Sequence, residues 1–272
     1  MTHTLIVRWL AGLAAAWAML VLPAAHAGRS CEAKPLTARS IEQGMQLALR
    51  TSQALDAEHA RTGARVVVLA RAGQDLSKYR LRYSHLGWAY KTAEGPWRVL
   101  HKLNACGSSE GSLYRQGLGE FFLDDLWRFE AAWMVPAPAL QAPLHAVLTD
   151  PSRSTALHTR AYNMLSYPWA TRYQQSNQWA LETLASAAEP GVGSREQAQA
   201  WLRFKGYQPT TLQLGALTRL GARVSSAHIA FDDHLNEKRF SDRIETVTVT
   251  VDSAFAWLER AGLAGPPQRL AL

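Results

Sequence analysis

The chain has 272 residues, of which 47% are hydrophobic and 19% charged, with a formal net charge of +7 and two cysteines. That length carries one domain of ordinary size, with a core that does not depend on staples. The basic excess is spread thinly over Arg-rich stretches instead of being gathered in a run, so no nucleic-acid partner is expected; unspecific contact with anionic envelope surfaces stays open.

At the N-terminus, Arg8 precedes an apolar run from Trp9 to Leu22, followed by Pro23 and the small-residue site Ala25-His26-Ala27. This order predicts a secretory signal peptide over residues 1–27, cleaved after Ala27. An uncleaved anchor helix would need an apolar stretch closer to about 20 residues and no such site. Cys31 is separated from the site by Gly28-Arg29-Ser30, so lipidation is not expected. No second stretch is apolar enough to span a bilayer, which predicts a periplasmic or secreted protein of residues 28–272. In an oxidising compartment Cys31 and Cys106 pair by default, tying the mature N-terminus to the end of a hairpin. The alternative leaves Cys106 a free nucleophile and Cys31 without a partner.

From Thr37 to Arg61, apolar residues at Ile41, Met45, Leu47, Ala48, Leu49 and Leu55 alternate with polar ones, predicting an amphipathic helix that ends near Gly63. Arg65–Ala70 is a continuous β-branched run and reads as a buried strand. A polar loop, 72–81, leads to Arg82–Gly107, two short strands joined by a polar turn. His85 opens the first strand, His101 lies near the end of the second, and Cys106 follows. A hairpin makes the two imidazoles near neighbours across the ladder, an arrangement suited to a base and the group that orients it. The plainer reading makes at least one of them a core residue of an aromatic-rich hairpin.

Beyond the hairpin, Leu126–Val135 is a candidate strand and Pro138–Leu148 a short helix. The aromatics here, Trp127 and Trp133 among them, read as core and not as a carbohydrate platform. Tyr162–Ala188 passes from an extended, aromatic-rich lead into a helix that begins at Ser176 or Asn177, both good N-caps, with Trp179, Ala180, Leu181 and Leu184 as its buried face. A residue at a helix N-terminus sits at the positive end of the backbone dipole, where an anionic nucleophile or oxyanion is stabilised. Capping alone also accounts for Ser and Asn there.

Ser194–Phe204 is a helix, with Ser194 and Gln197 forming a capping box. Another helix is expected from Pro209-Thr210 through Leu220 to Gly221. Asp232, Asp233 and His234 are consecutive, and three neighbours in a loop rarely converge on an ion, so no metal is expected; nor is any cofactor. Ile244–Val251 alternates at period two and reads as a half-exposed strand. Asp252 would then cap a last helix ending at Gly262, and the tail from Gly265 reads as loose. The fold class is α+β, an antiparallel sheet built on the hairpin with flanking helices, and residues 194–272 form either a C-terminal extension of the same core or a subdomain.

The runs H-K-L-N-A-C-G, L-Y-R-Q-G-L-G-E-F-F-L-D-D-L, Y-P-W-A-T-R-Y-Q-Q-S-N-Q-W-A-L-E-T-L and F-D-D-H resemble the bacterial "domain of unknown function 2145" family over nearly the whole mature chain. That resemblance brings no established activity. More distantly, His85-Leu86-Gly87-Trp88-Ala89-Tyr90 followed by Val99-Leu100-His101 resembles the strand pair of circularly permuted papain-like proteins, the NlpC-type and lecithin-retinol-acyltransferase-like group. This likeness implies a papain-like core with a Cys at a helix start. Here Asn177 stands at the corresponding place, and an amide cannot attack as a thiolate does. Three readings follow. A papain-like fold without its nucleophile would bind an envelope peptide, glycan or lipid in a pocket lined by His85, His101 and Asn177. Alternatively, Ser176 is the nucleophile of a hydrolase or acyltransferase, with His85 as base and His101 as orienter. In the third, the protein is structural and the histidines belong to its core.

Overall fold

A computed structural model describes residues 35–105, 107–215, 218, 228–234 and 245–272. The leader 1–27 and the expected Cys31–Cys106 disulfide therefore lie outside the described residues. Helix α1 (Ala38–Thr62) starts where the Thr37 hydroxyl accepts the Ser40 N–H and stops at Gly63, whose φ of 73° suits glycine. Its buried line is Gly44, Leu47, Ala48, Thr51 and Leu55. Ile41, Met45 and Leu49, expected on the same face, are exposed. The contact line is set by Gly44, where an added Cβ would stand 2.9 Å from the Phe122 carbonyl. The 41-45-49 stripe is thereby turned aside.

Strands β1 (Val66–Ala72), β2 (His85–Lys91), β3 (Trp97–Asn104), β4 (Gly111–Gly117), β5 (Arg128–Met134) and β8 (Gln268–Ala271) form one antiparallel sheet in the order β4-β3-β2-β1-β5-β8. The protein is thus α+β, with helices on both faces of the sheet. Side chains alternate between those faces along each strand. Val68, Ala70, Leu86, Trp88, Leu100 and Met134 share a core with the helices α3 (Pro138–Thr149), α5 (Ser176–Ala188), α6 (Arg195–Phe204) and α7 (Val251–Arg260). On the opposite face Val67, Leu69, Ala89, Val99 and Trp133 pack against α1 and the short helix α2 (Leu118–Phe122). β1 is buried throughout because both its neighbours and both its faces are covered, which is why its sequence is apolar apart from Arg71.

The C-terminal third packs on that same first core through Trp201, Leu202, Tyr207, Val251 and Trp257. Three local expectations are corrected there. Thr210–Gln213 is a strand, β6, paired with β7 (Glu245–Thr248), because Thr210 and Thr211 are β-branched and Leu212 alone of the four faces inward. Thr250, not Asp252, caps α7, and the Asp252 carboxylate instead accepts the Arg82 N–H at 3.2 Å, fixing the chain as it enters β2. The tail is not loose: Gln268–Ala271 pairs with the otherwise open edge of β5. Between α3 and α5 lie α4 (Pro151–Thr155), capped by the Asp150 carboxylate, and an irregular segment, 156–175.

The capping box on α6 is present, with Ser194 accepting the Gln197 N–H and the Gln197 side chain accepting the Ser194 N–H. Replacing Ser194 by alanine is expected to lower the unfolding free energy by about 1 kcal/mol, read as a shift of the urea midpoint at constant slope.

Candidate functional site

The two histidines of the hairpin meet. His85 Nε2 lies 2.8 Å from His101 Nδ1, and His101 Nε2 lies 2.8 Å from Gln116 Oε1 on β4, so three consecutive strands each contribute one link. What lets the rings approach is Gly87, which faces His101 across the ladder: an added Cβ there would come within 2.8 Å of the His101 Cβ and 2.9 Å of Val99. Both rings lie on the α1–α2 face, edge-on or tilted against Phe121 at 5.2 Å for His101 and 6.1 Å for His85. His101 is wholly buried and His85 is 9% exposed. Burial, with the nearby Arg71 cation, holds the His85 pKa well below the ordinary imidazole value and takes that of His101 to about 3. Both rings are therefore neutral at pH 7.

His85 opens onto a cleft of about 1190 Å³ that is also lined by Arg71, Gln116, Glu120 and Asp124 at one end and by Leu212, Leu214, Ile229 and Phe231 at another. Arg71 is the cross-strand partner of His85. Its guanidinium donates to the Phe121 carbonyl and, at 2.5 Å, to Asp124, while the cation lies 4.6 Å from the centre of the Phe121 ring. Sequence reasoning had no signal for Arg71. It lies at the end of an apolar strand, where a charge reads as a boundary.

The opposite wall of the cleft includes the start of α5. Ser176 and Asn177 do not cap this helix: the cap position is Gln175, and the two occupy the first turn. Gln175 is held away from the helix because its amide donates to Thr248 Oγ1 at 2.7 Å and to the Val249 carbonyl at 2.8 Å. Asn177 Oδ1 accepts the Leu86 N–H at 3.1 Å, which fastens the helix start to the residue after His85. Ser176 lies against the buried Tyr162 phenol, whose pKa is raised by desolvation and partly lowered again by hydrogen bonding to that hydroxyl. Beyond its expected face, α5 is buried over its whole first two turns because sheet, α3 and α6 surround it.

Behind the cleft a charged network is closed off from water. Lys102 on β3 donates to Gln174 Oε1 at 2.9 Å and to the Thr159 carbonyl; Gln174 in turn donates to Glu182, and Glu182 pairs with Arg195 at 2.8 Å. Burial first, then the Arg195 cation, brings the Lys102 pKa down to about 7, with Glu182 opposing the fall.

The structure thus places His85, Ser176 and Asn177 on one cleft and joins His101 to it through His85. Among the described residues no hydrogen bond links Ser176 to His85. The side chains of His85 and Leu86 alternate, so the His85 ring projects from the face opposite the one on which α5 packs, and the cleft curls round the strand end to reach both. Gln116 was not singled out from the sequence, although L-Y-R-Q-G follows the hairpin at the distance a third meander strand requires. Asp233 accepts the Tyr167 N–H at 2.9 Å and His234 meets the Leu165 carbonyl at 2.7 Å, so both serve to hold the 163–167 segment. No grouping of metal-ligating side chains occurs among the described residues.

Fold and site together define an α+β protein whose antiparallel sheet presents a buried imidazole pair to a cleft beside the start of an enclosed helix. The model of the family described as "Uncharacterized protein conserved in bacteria (DUF2145)" matches residues 58–258, and the chain belongs to that family. No curated protein and no solved structure matches it. Among the described residues no helix is long and apolar enough to cross a membrane.

Proposed function

We propose that this is an exported protein of the cell envelope whose cleft binds, and does not turn over, an envelope peptide, glycan or lipid. The observation that carries the reading is that the His85 imidazole faces the cleft while the one candidate nucleophile beside it, Ser176, lies at Tyr162 and is not bonded to it, and the Asn177 amide oxygen is taken by the Leu86 N–H. A cleft of about 1190 Å³, polar at one end and apolar at another, is of a size and character suited to such a ligand. Export rests on the N-terminal apolar run and the Ala25-His26-Ala27 site, and the Cys31–Cys106 disulfide belongs to the same proposal. The likeness to permuted papain-like proteins is supported by the His85–His101 contact and by the fastening of a helix start beside it.

Titration of the protein with soluble peptidoglycan fragments, envelope glycans and short-chain phospholipids, followed by tryptophan fluorescence, tests the reading. One class is expected to saturate the signal and to bind at least tenfold more weakly to His85→Phe. Saturation that is unchanged in this variant would place the ligand elsewhere. The hydrogen bond between the imidazoles favours a second reading, a serine hydrolase or acyltransferase with Ser176 as nucleophile. A fluorophosphonate probe separates the two: covalent labelling lost in both Ser176→Ala and His85→Ala would replace binding with catalysis.

A further inference from the structure

The direction of the hydrogen bonds along β2, β3 and β4 determines what His85 offers to the cleft. A neutral imidazole carries one N–H and one bare nitrogen, so each bond in a chain of two such rings fixes the next. Gln116 Oε1 can only accept, which places a proton on His101 Nε2 and leaves His101 Nδ1 bare. His101 Nδ1 then accepts from His85, placing the proton on His85 Nε2 and leaving His85 Nδ1 bare. Among the described residues no partner meets that nitrogen, and His85 lines the cleft. The positive Arg71, directly across the ladder, favours the same arrangement by disfavouring a second proton on either ring.

We propose that Gln116 is a positioning residue which, through His101, locks His85 as a hydrogen-bond acceptor toward the cleft, so that the ligand it selects presents an O–H or N–H donor to His85 Nδ1. The inference rests on the cleft being the binding site only for the part that names the ligand. The tautomers are a property of the free protein. A donor head group fits a hydroxyl-bearing glycan, a peptide amide or an amino headgroup, and excludes ligands whose polar end only accepts.

Long-range proton–nitrogen correlation spectra of protein carrying ¹⁵N-histidine read both tautomers directly, with His85→Gln and His101→Gln used for assignment. The wild type is expected to show His85 and His101 each as a single neutral form with the proton on Nε2 at pH 7. Gln116→Leu is expected to lose that single form at both rings, and Gln116→Glu, which keeps an accepting oxygen, to retain it. A proton on His85 Nδ1 in the wild type, or spectra unmoved by Gln116→Leu, would overturn the proposal. Neither result bears on whether the cleft binds a ligand, whereas a failed ligand titration with the expected tautomers in place would overturn the binding reading alone.

Discussion

Glu182→Ala is expected to cost about 3–5 kcal/mol of unfolding free energy, the range found when one member of a buried ion pair is removed. Glu182 is fully buried, pairs with Arg195 Nε at 2.8 Å and Nη2 at 3.1 Å, and accepts from the Gln174 and Gln199 amides. Arg195 is also held by the carbonyls of Thr171 and Tyr173, so it cannot swing out to water when its anion is lost. Lys102 loses its nearest balancing charge at the same time. The loss would be greater than for an exposed pair such as Arg160–Glu110, whose breakage is worth at most about 1 kcal/mol. Urea unfolding of Glu182→Ala beside Glu110→Ala makes the comparison; equal losses would mean that the interior network carries no special weight.

Acid is expected to destabilise the protein well above the range in which carboxylates titrate. In the folded state His85 and His101 stay neutral because burial and Arg71 depress their pKa values, whereas in the unfolded chain they protonate below about 6.5. The unfolded state then binds more protons, so stability is complete above pH 6.5 and falls as the pH is lowered toward the folded value, about 3 for His101. At pH 5 the loss is about 2 kcal/mol for His101, and His85 adds to it with the same sign. The nearest carboxylate, Asp124, acts weakly against the depression at His101, and His158 and His228, also depressed by burial, add with the same sign. Carboxylates with lowered pKa values, such as Glu130 and Asp56, contribute their share only below about pH 4.5. Unfolding measured from pH 7.5 to pH 5 should show the decline, and His101→Gln should remove the His101 share, about 2 kcal/mol at pH 5. A flat profile would mean that the rings titrate freely.

Much of this architecture is legible from local pattern. The α1 ends, the buried β1, the hairpin and the α6 capping box each rest on interactions within a few residues, and pattern reports those well. The meeting of His85 with His101 is legible for the same reason, since a hairpin brings the ends of its two strands together and here makes the rings diagonal neighbours across the ladder. What was not legible depends on partners far along the chain. Gln175 takes the cap position only because Thr248 and Val249 hold it, more than seventy residues away. The C-terminal tail is short and opens with Gly265-Pro266-Pro267, and becomes a strand only because β5 offers it an open edge. Glu182 and Arg195 look like surface charges on their own helices; their burial follows from how α5 is enclosed. Gln116 completes the imidazole chain through the β3–β4 register, where Val99 stands opposite it and His101 is its diagonal neighbour.

The pairing of β8 with β5 also bears on solubility. With Gln268–Ala271 in place, the row of backbone groups on the outer side of β5 is occupied by the chain's own C-terminal residues. Clipping before Gln268 would uncover a seven-residue strand rich in apolar side chains, with its amides and carbonyls free to recruit the same strand from another molecule. In that sense Gln268–Ala271 acts as a stopper against polymerisation through β5.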